Sequence, residues 1–346
     1  MPKKEGRNEY KRLDVRPQDS AAVAHGVDRH ARRPSGQGSK DIDMSNPDSP
    51  IRNVAVVGGS GNLGRHVVLE LLNAGFTVTA LKRQNSTSTY PAAVVAKEVD
   101  YSSIDSLTTA LKGQDAVVSA LATAAVGGQR PLVDAAVAVG VRRFIPSEFG
   151  INTRFLGSQP IATILQGKIQ TLNYIHQQHK RNPSFTWTGI STGIFFDWGL
   201  DYGSIGLDKV GKTATIYDSG NTPFQTTNLP LVGQAVAAVL TYPERTINRY
   251  ISIASFNPTQ NEILAVVERI TGERWTVNHA TTAEHGQIGA EKLSRQDYSA
   301  FSHFLRQRIY EDGGGLAVQG PDNALDSLGL AEENLEATLE AWLARE

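Results

Sequence analysis

A chain of 346 residues, 40% hydrophobic and 20% charged, has the composition of a globular protein with one large or two modest cores. Its 34 Lys and Arg against 35 Asp and Glu leave a formal charge of −1, a balance that points to neither nucleic acid nor an acidic membrane surface as partner. There is no cysteine, which excludes disulfides, thiolate nucleophiles and cysteine-ligated zinc. No apolar run approaches the roughly 18–20 residues that span a bilayer, so a soluble, cytoplasmic protein is expected.

Residues 1–50 are polar, carry scattered charges of both signs and hold almost no large apolar side chains. Such a stretch cannot bury enough surface to offset the entropy of ordering, and it is read as a disordered tail. It has no apolar core for a secretory signal, and Glu5, Glu9, Asp14 and Asp19 argue against a transit peptide. Met44, just ahead of the folded part, is a candidate second start.

From residue 51 the pattern changes. The valine-rich run "IRNVAVV" (51–57) suits a strand buried on both faces, and the apolar spacing of Leu63, Val67, Leu71 and Leu72 predicts a helix over 62–74 that Gly75 ends. Further strands are expected at 76–82, 94–100, 115–121, 142–147 and 185–191. Helical patterns lie between most of them, at 103–111, 129–139 and 159–180. This alternation predicts an α/β fold, a doubly wound parallel sheet of Rossmann type over 51–192. Beyond it "TATIYDSGNTPFQTTN" (213–228) reads as a hairpin turning at 219–221. Pro230 starts a helix to about Leu240, and "YISIAS" (250–255) reads as one more strand added to the large sheet. Thr259 and Glu262 have capping-box spacing at the start of another helix. The rest of 193–346 is expected to form a smaller, irregular α+β substrate-binding part closing over the carboxyl ends of the strands.

Between the first strand and helix stands "VVGGSGNLGRHV". A strand, a glycine turn and a helix start are the setting in which Gly59-x-Gly61-x-x-Gly64 has meaning, because a pyrophosphate can reach the helix N–H groups only where side chains are absent. Gly58, Gly59, Ser60, Gly61, Asn62, Leu63 and Gly64 are therefore expected to bind a dinucleotide. About 20 residues on, where an NAD site would carry Asp or Glu, the chain reads Leu81-Lys82-Arg83-Gln84-Asn85. A guanidinium there suits a 2′-phosphate, so the cofactor is expected to be NADP, with Arg83 first and Lys82 second as its partners. Gly127-Gly128-Gln129, after the fourth strand, is expected to pass close to the cofactor, with Gln129 among its contacts.

The chemistry is less direct. None of the ten tyrosines has lysine four positions later, so a Tyr-x-x-x-Lys pair is absent, and with it the support for a sugar epimerase or dehydratase. No nucleophile elbow supports Ser-His-Asp hydrolysis. His176 and His179 share a helix face without an acidic partner and read as surface residues, not as metal ligands. Ser147 ends a strand that points at the cleft, where its hydroxyl either bonds a substrate or ribose oxygen or caps a loop. Lys168 falls among Ile164, Leu165, Leu172 and Ile175 on the packed side of its helix. An ammonium there either snorkels at the helix edge or reaches a cleft, where burial would bring its pKa toward the working range of an acid or base.

"GGSGNLG" together with "RRFIPSEFG" (142–150), "DSGNT" (218–222) and "NPTQNEI" (257–263) resembles the NmrA-like atypical short-chain reductases, the isoflavone reductase and phenylcoumaran benzylic ether reductase group. The likeness runs over roughly 52–345. It implies NADPH-dependent reduction of a small aromatic or phenolic molecule. It also implies that the lysine of "ILQGKIQTLNY", Lys168, handles the proton in place of the Tyr/Lys pair; Ser147, from its place at the strand end, is the second catalytic candidate. Two positions depart from the family pattern: Leu172 stands where an arginine often follows the lysine, and Ala92 where some members carry a second basic residue. Phe195, Phe196, Trp198 and Tyr202 are candidates to hold an aromatic ring, or else are core. Some proteins of this resemblance are non-catalytic NAD(P)-sensing regulators, which is the alternative reading. A homodimer is left open.

Overall fold

The computed structural model describes residues 49–314, 316–318 and 322–345; the expected tail lies outside these except for Ser49 and Pro50. Strand β1 (Asn53–Val57) runs down the middle of a seven-stranded sheet. It reads as a continuous apolar run because both its faces are covered. Val54 and Val56 pack toward α1 (Asn62–Asn73), whereas Ala55 and Val57 pack into a second cluster on the opposite face. Each such valine, fully buried, contributes roughly 1.5–3 kcal/mol.

The chain continues through β2 (Thr77–Arg83), β3 (Val95–Val99), α2 (Ile104–Leu111), β4 (Ala116–Ser119), α3 (Arg130–Ala138) and β5 (Arg143–Ile145). Two consecutive helices follow, α4 (Pro160–Ile164) and α5 (Gln166–Arg181), and then β6 (Thr186–Ser191). The single helix expected over 159–180 is broken at Leu165, where the backbone leaves helical geometry (φ −88°, ψ 8°). The break turns α5 so that Gly167 lies against the loop before α3. A Cβ on Gly167 would come within 2.9 Å of the Gly127 backbone, which only glycine avoids.

After β6 come β7 (Ile194–Phe195), α6 (Phe196–Asp201), β8 (Leu207–Asp208), β9 (Thr213–Tyr217), β10 (Thr226–Thr227), α7 (Leu229–Thr241) and β11 (Arg249–Ser252). The large sheet has the order β11-β6-β5-β4-β1-β2-β3 with every pairing parallel, and β11 is the added strand that the sequence suggests. The order reverses between β1 and β4, so a crevice opens at their carboxyl ends. Helix α7, from the second half of the chain, packs into the same apolar cluster as α1.

The expected hairpin over 213–228 does not form. β9 pairs in parallel with β12 (Thr276–Ala280) and antiparallel with β8, while β10 pairs with β7. The chain does turn there, with Asp218 and Gly220 at positive φ, but the polar groups of the turn have distant partners. Asp218 accepts from the Thr282 N–H at the start of α9 (Thr282–Ser294), and Asn261 binds the Ser219 carbonyl and the Asn221 side chain. Asn261 belongs to α8 (Gln260–Thr271), whose expected capping box is complete: the Glu262 N–H reaches Thr259 Oγ1 at 3.1 Å and the Thr259 N–H reaches Glu262 Oε2 at 2.8 Å, worth about 1 kcal/mol. Helices α10 (Ala300–Tyr310), α11 (Leu325–Leu328) and α12 (Leu335–Ala344) complete the chain. Helices α10 and α12, together with α6, α8 and β9, form a separate apolar cluster, whereas α11 packs into the cluster that α1 and α7 share. Among the described residues no helix is long and apolar enough to cross a membrane.

Candidate active site

The glycine turn has divided labour. Gly58, at φ +75°, lies against β4: a Cβ there would stand 2.4 Å from the Ala120 carbonyl oxygen. One on Gly64 would stand 2.0 Å from the Gly58 oxygen. These two glycines let the chain pack on itself at the point where the sheet order reverses. Gly59 is buried against Val68. Gly61 is different. It is exposed, is the N-cap of α1, offers no side-chain cap, and leaves the first-turn N–H groups of Asn62, Leu63 and Gly64 without intrahelical partners.

That helix end opens onto a cleft of about 670 Å³ lined by Gly58, Ser60, Gly61, Asn62, Leu63, Lys82 and Arg83, and at its far end by Ser147 and Lys168. The structure thus brings the glycine turn, the basic pair and both catalytic candidates to one cavity. Gly59 and Gly64 support the turn from behind and do not line it. The two basic residues are not equivalent. Lys82 Nζ pairs with Glu98 at 2.9 Å and donates to the Ser86 carbonyl at 3.1 Å, and this contact holds the Glu98 carboxyl below its ordinary value. Arg83 is exposed and has no ion partner among the described residues. Ser86 and Ser88, which sequence reasoning passed over, also line the cleft. Their hydroxyls form a chain to Ser60, 3.0 Å at each step, tying the loop after β2 to the glycine turn.

Two expectations change. Gln129 does not line the cleft; Gly128 does. The Gln129 amide is buried, donating to the Val126 carbonyl at 3.0 Å and accepting the Ser147 N–H at 3.2 Å, so it holds the loop and Ser147 in place. Ser147 itself is 2% exposed. Its hydroxyl donates to the Ser119 carbonyl at 2.7 Å and accepts from the Leu121 N–H at 2.9 Å. Its one proton is thereby committed to the end of β4, which is the loop-capping alternative rather than a free donor to a substrate.

Lys168 sits in the first turn of α5, only 7% exposed, and donates to the Glu148 carbonyl at 3.2 Å. Burial lowers its pKa, and the Glu148 carboxylate partly opposes that shift. The carboxylate is itself buried and held by Thr153 at 2.6 Å and by the Tyr250 hydroxyl at 2.8 Å. Burial first, then Glu148, pushes the Tyr250 phenol well above its ordinary value, so it stays a donor. Glu148 stands in the quoted "RRFIPSEFG", in the buried loop just after β5. Tyr250 carried no signal, because β11 is distant in sequence.

Lys168 also lines a second cavity of about 350 Å³, next to the first, whose walls are mostly apolar: Phe149, Ile151, Phe195, Trp198, Phe301 and Ile309 among them. Of the four aromatics singled out from the sequence, Phe195 and Trp198 line this cavity. Phe196 is core, packed edge-on against Phe256 at 5.3 Å, and Tyr202 is 68% exposed, stacked on Trp198 outside it. His176 and His179 are half-buried on the side of α5 that packs on the sheet. His176 packs on Trp187 at 4.5 Å, and His179 bonds the Phe185 carbonyl and Asn248. Among the described residues no group of three His, Asp or Glu is placed to hold a metal ion.

Residues 51–311 match the NmrA-like family. The chain belongs to that family. It is 36% identical over 295 residues to the oxidoreductase aprR of Aspergillus flavus, covering 84% of this chain and 98% of that one. It is 32% identical over 281 residues to the oxidoreductase poxI of Penicillium oxalicum, covering 80% and 89%. This member of the NmrA-like family is an enzyme of the same kind, an isoflavone reductase-like oxidoreductase. Among solved structures, AtPrR2 with NADP+ and (+)-pinoresinol superposes with a TM-score of 0.70 at 23% identity, over 85% of this chain and 99% of that one. A likeness at that identity carries the fold.

Proposed function

We propose that the chain is an NADPH-dependent reductase of a small aromatic or phenolic molecule, with Lys168 as proton donor. The observation that carries this reading is that Lys168 lines both the glycine-turn cleft and the apolar cavity. A cofactor in the one and a reducible substrate in the other meet where the two join, beside that amine. The uncapped start of α1 would hold a pyrophosphate, and Arg83 would hold the 2′-phosphate with Ser86 and Ser88 beside it. Among the described residues no carboxylate lines the cleft to repel that phosphate. The relative AtPrR2, which is bound to NADP+ and a phenolic ligand, supports the same pairing of sites.

When bound, the cofactor supplies a hydride. Lys168 gives its proton to the substrate oxygen that gains the electron pair and is left as a neutral amine, which its buried setting favours. The Glu148 carbonyl orients the amine, and Thr153 and Tyr250 hold the Glu148 side chain whose charge keeps the proton in place. Phe195, Trp198 and Phe301 present apolar surface to a ring and exclude water. A regulator that only senses the cofactor has no use for such a cavity, and the catalytic relatives weigh against that alternative. The test is NADPH oxidation by purified protein with aryl ketones, enones and benzylic ethers. Oxidation is expected with at least one class, falling by about 10²–10⁴-fold in Lys168→Met. No oxidation by the wild type, or full rate in Lys168→Met, removes the assignment.

A further inference from the structure

The apolar cavity contains one charge that the proposed reduction does not use. Among the described residues only Lys168 and Arg306 bring a cation to its lining, and none brings a carboxylate. Arg306 lies on the cavity face of α10, one turn from Ser302 and adjacent to Leu305, with Phe301 and Ile309 on the same face. Its one hydrogen bond runs from Nη1 to the Ser302 carbonyl at 3.3 Å, and it has no ion pair among the described residues. The nearest polar neighbours do not offset it. His285 and His303 meet through their Nδ1 atoms at 2.9 Å, and burial, reinforced by the Arg306 charge, favours the neutral form of both. The Tyr310 hydroxyl, also in the cavity wall, is turned to the Ser204 carbonyl at 3.1 Å.

A guanidinium half-buried against an apolar wall without a counter-ion is an unfavourable arrangement, and it is relieved when a bound molecule brings an anion. Its planar fork matches the two oxygens of a carboxylate better than it matches a single neutral acceptor. We propose that Arg306 is a specificity-determining residue and that the substrate is an aromatic carboxylate, its ring among Phe195, Trp198 and Phe301 and its carboxylate on Arg306. This rests on the reading of the cavity as the substrate site of the reductase. It goes beyond that reading in naming the charge of the substrate and the residue that selects it. Lys168 is then left free for the oxygen that is protonated, because a second cation takes the acid group.

The test is a binding comparison that needs no turnover. The full chain, saturated with NADP+, is titrated by calorimetry with 2-naphthoate and with 2-naphthamide, which share a ring system and differ in charge. The wild type is expected to bind the carboxylate about tenfold or more tightly than the amide. Arg306→Gln should lose that preference and keep the affinity for the amide, and Arg306→Lys should restore part of it. Equal affinities in the wild type, no binding of either compound, or a preference that survives Arg306→Gln would each overturn the proposal. The wild-type comparison stands even if Arg306→Gln fails to fold. Failure of the reductase reading appears separately, as absence of NADPH oxidation.

Discussion

Replacing Arg83 by Gln is expected to weaken NADPH binding and leave NADH binding unchanged. The magnitude follows from how the two basic residues at the end of β2 are engaged. Lys82 is already paired, 2.9 Å from Glu98 and 3.1 Å from the Ser86 carbonyl, so it has little charge left to offer. Arg83 is exposed and without an ion partner among the described residues, and therefore carries the discrimination. A hydrogen bond to a charged group is worth about 1.5–3 kcal/mol. This one forms in an open cleft where solvent screens it, so the lower figure applies, and about 1.5 kcal/mol corresponds to roughly a tenfold rise in Kd. The assay is calorimetric titration of NADPH and NADH at one fixed ionic strength. Glu98→Gln provides the opposite perturbation: it releases Lys82 and should tighten NADPH by about twofold to fivefold. If Arg83→Gln loses both cofactors equally, or binds NADPH as the wild type does, the guanidinium is not the partner of the phosphate and the argument from β2 fails.

The pH dependence of catalysis carries a second expectation. A proton donor must be protonated, and burial lowers the Lys168 pKa, so kcat should fall as pH rises through a value below the ordinary lysine range. Glu148→Gln, which removes the charge that opposes the shift, should move that limb to still lower pH. The same group affects stability. Between the lowered folded pKa and the ordinary value of the unfolded chain, the unfolded state binds one more proton, so stability should rise with pH across that window, and Lys168→Met should abolish the rise in denaturant titrations. The glycines give a third. Gly64→Ala places a Cβ 2.0 Å from the Gly58 oxygen and should destabilise the protein by about 1–3 kcal/mol without any cofactor present. Gly61→Ala meets only that same oxygen, at 3.3 Å, and should keep stability within about 0.5 kcal/mol while losing about tenfold in NADPH affinity. Equal stability losses in the two variants would refute the division of labour within the turn.

The parallel sheet and its glycine turn were legible in the chain because each depends on local pattern, whereas periodicity alone left Lys168 between a snorkelling residue and a cleft residue. Strands buried on both faces must be apolar throughout, as 53–57 is. A helix start that meets a strand end at close range must omit side chains, as Gly58 and Gly64 do. The capping box of α8 is local in the same way.

What the chain by itself did not determine is where polar groups end up when several acceptors lie within reach. Gln129 and Ser147 had the chemistry of cleft residues, yet Gln129 accepts the Ser147 N–H and the Ser147 hydroxyl is taken by Ser119 and Leu121, partners brought near only by sheet order. The 218–222 turn closes on α8 and α9 rather than on its own flanking strands. Glu148 and Tyr250 meet across 102 residues, and Arg306 reaches the cavity from a helix whose sequence shows no more than an amphipathic pattern. Backbone periodicity is set by covalent geometry and is written into neighbouring residues. The pairing of a buried donor with its acceptor is settled by packing between segments far apart in the chain, and only the tertiary structure contains it.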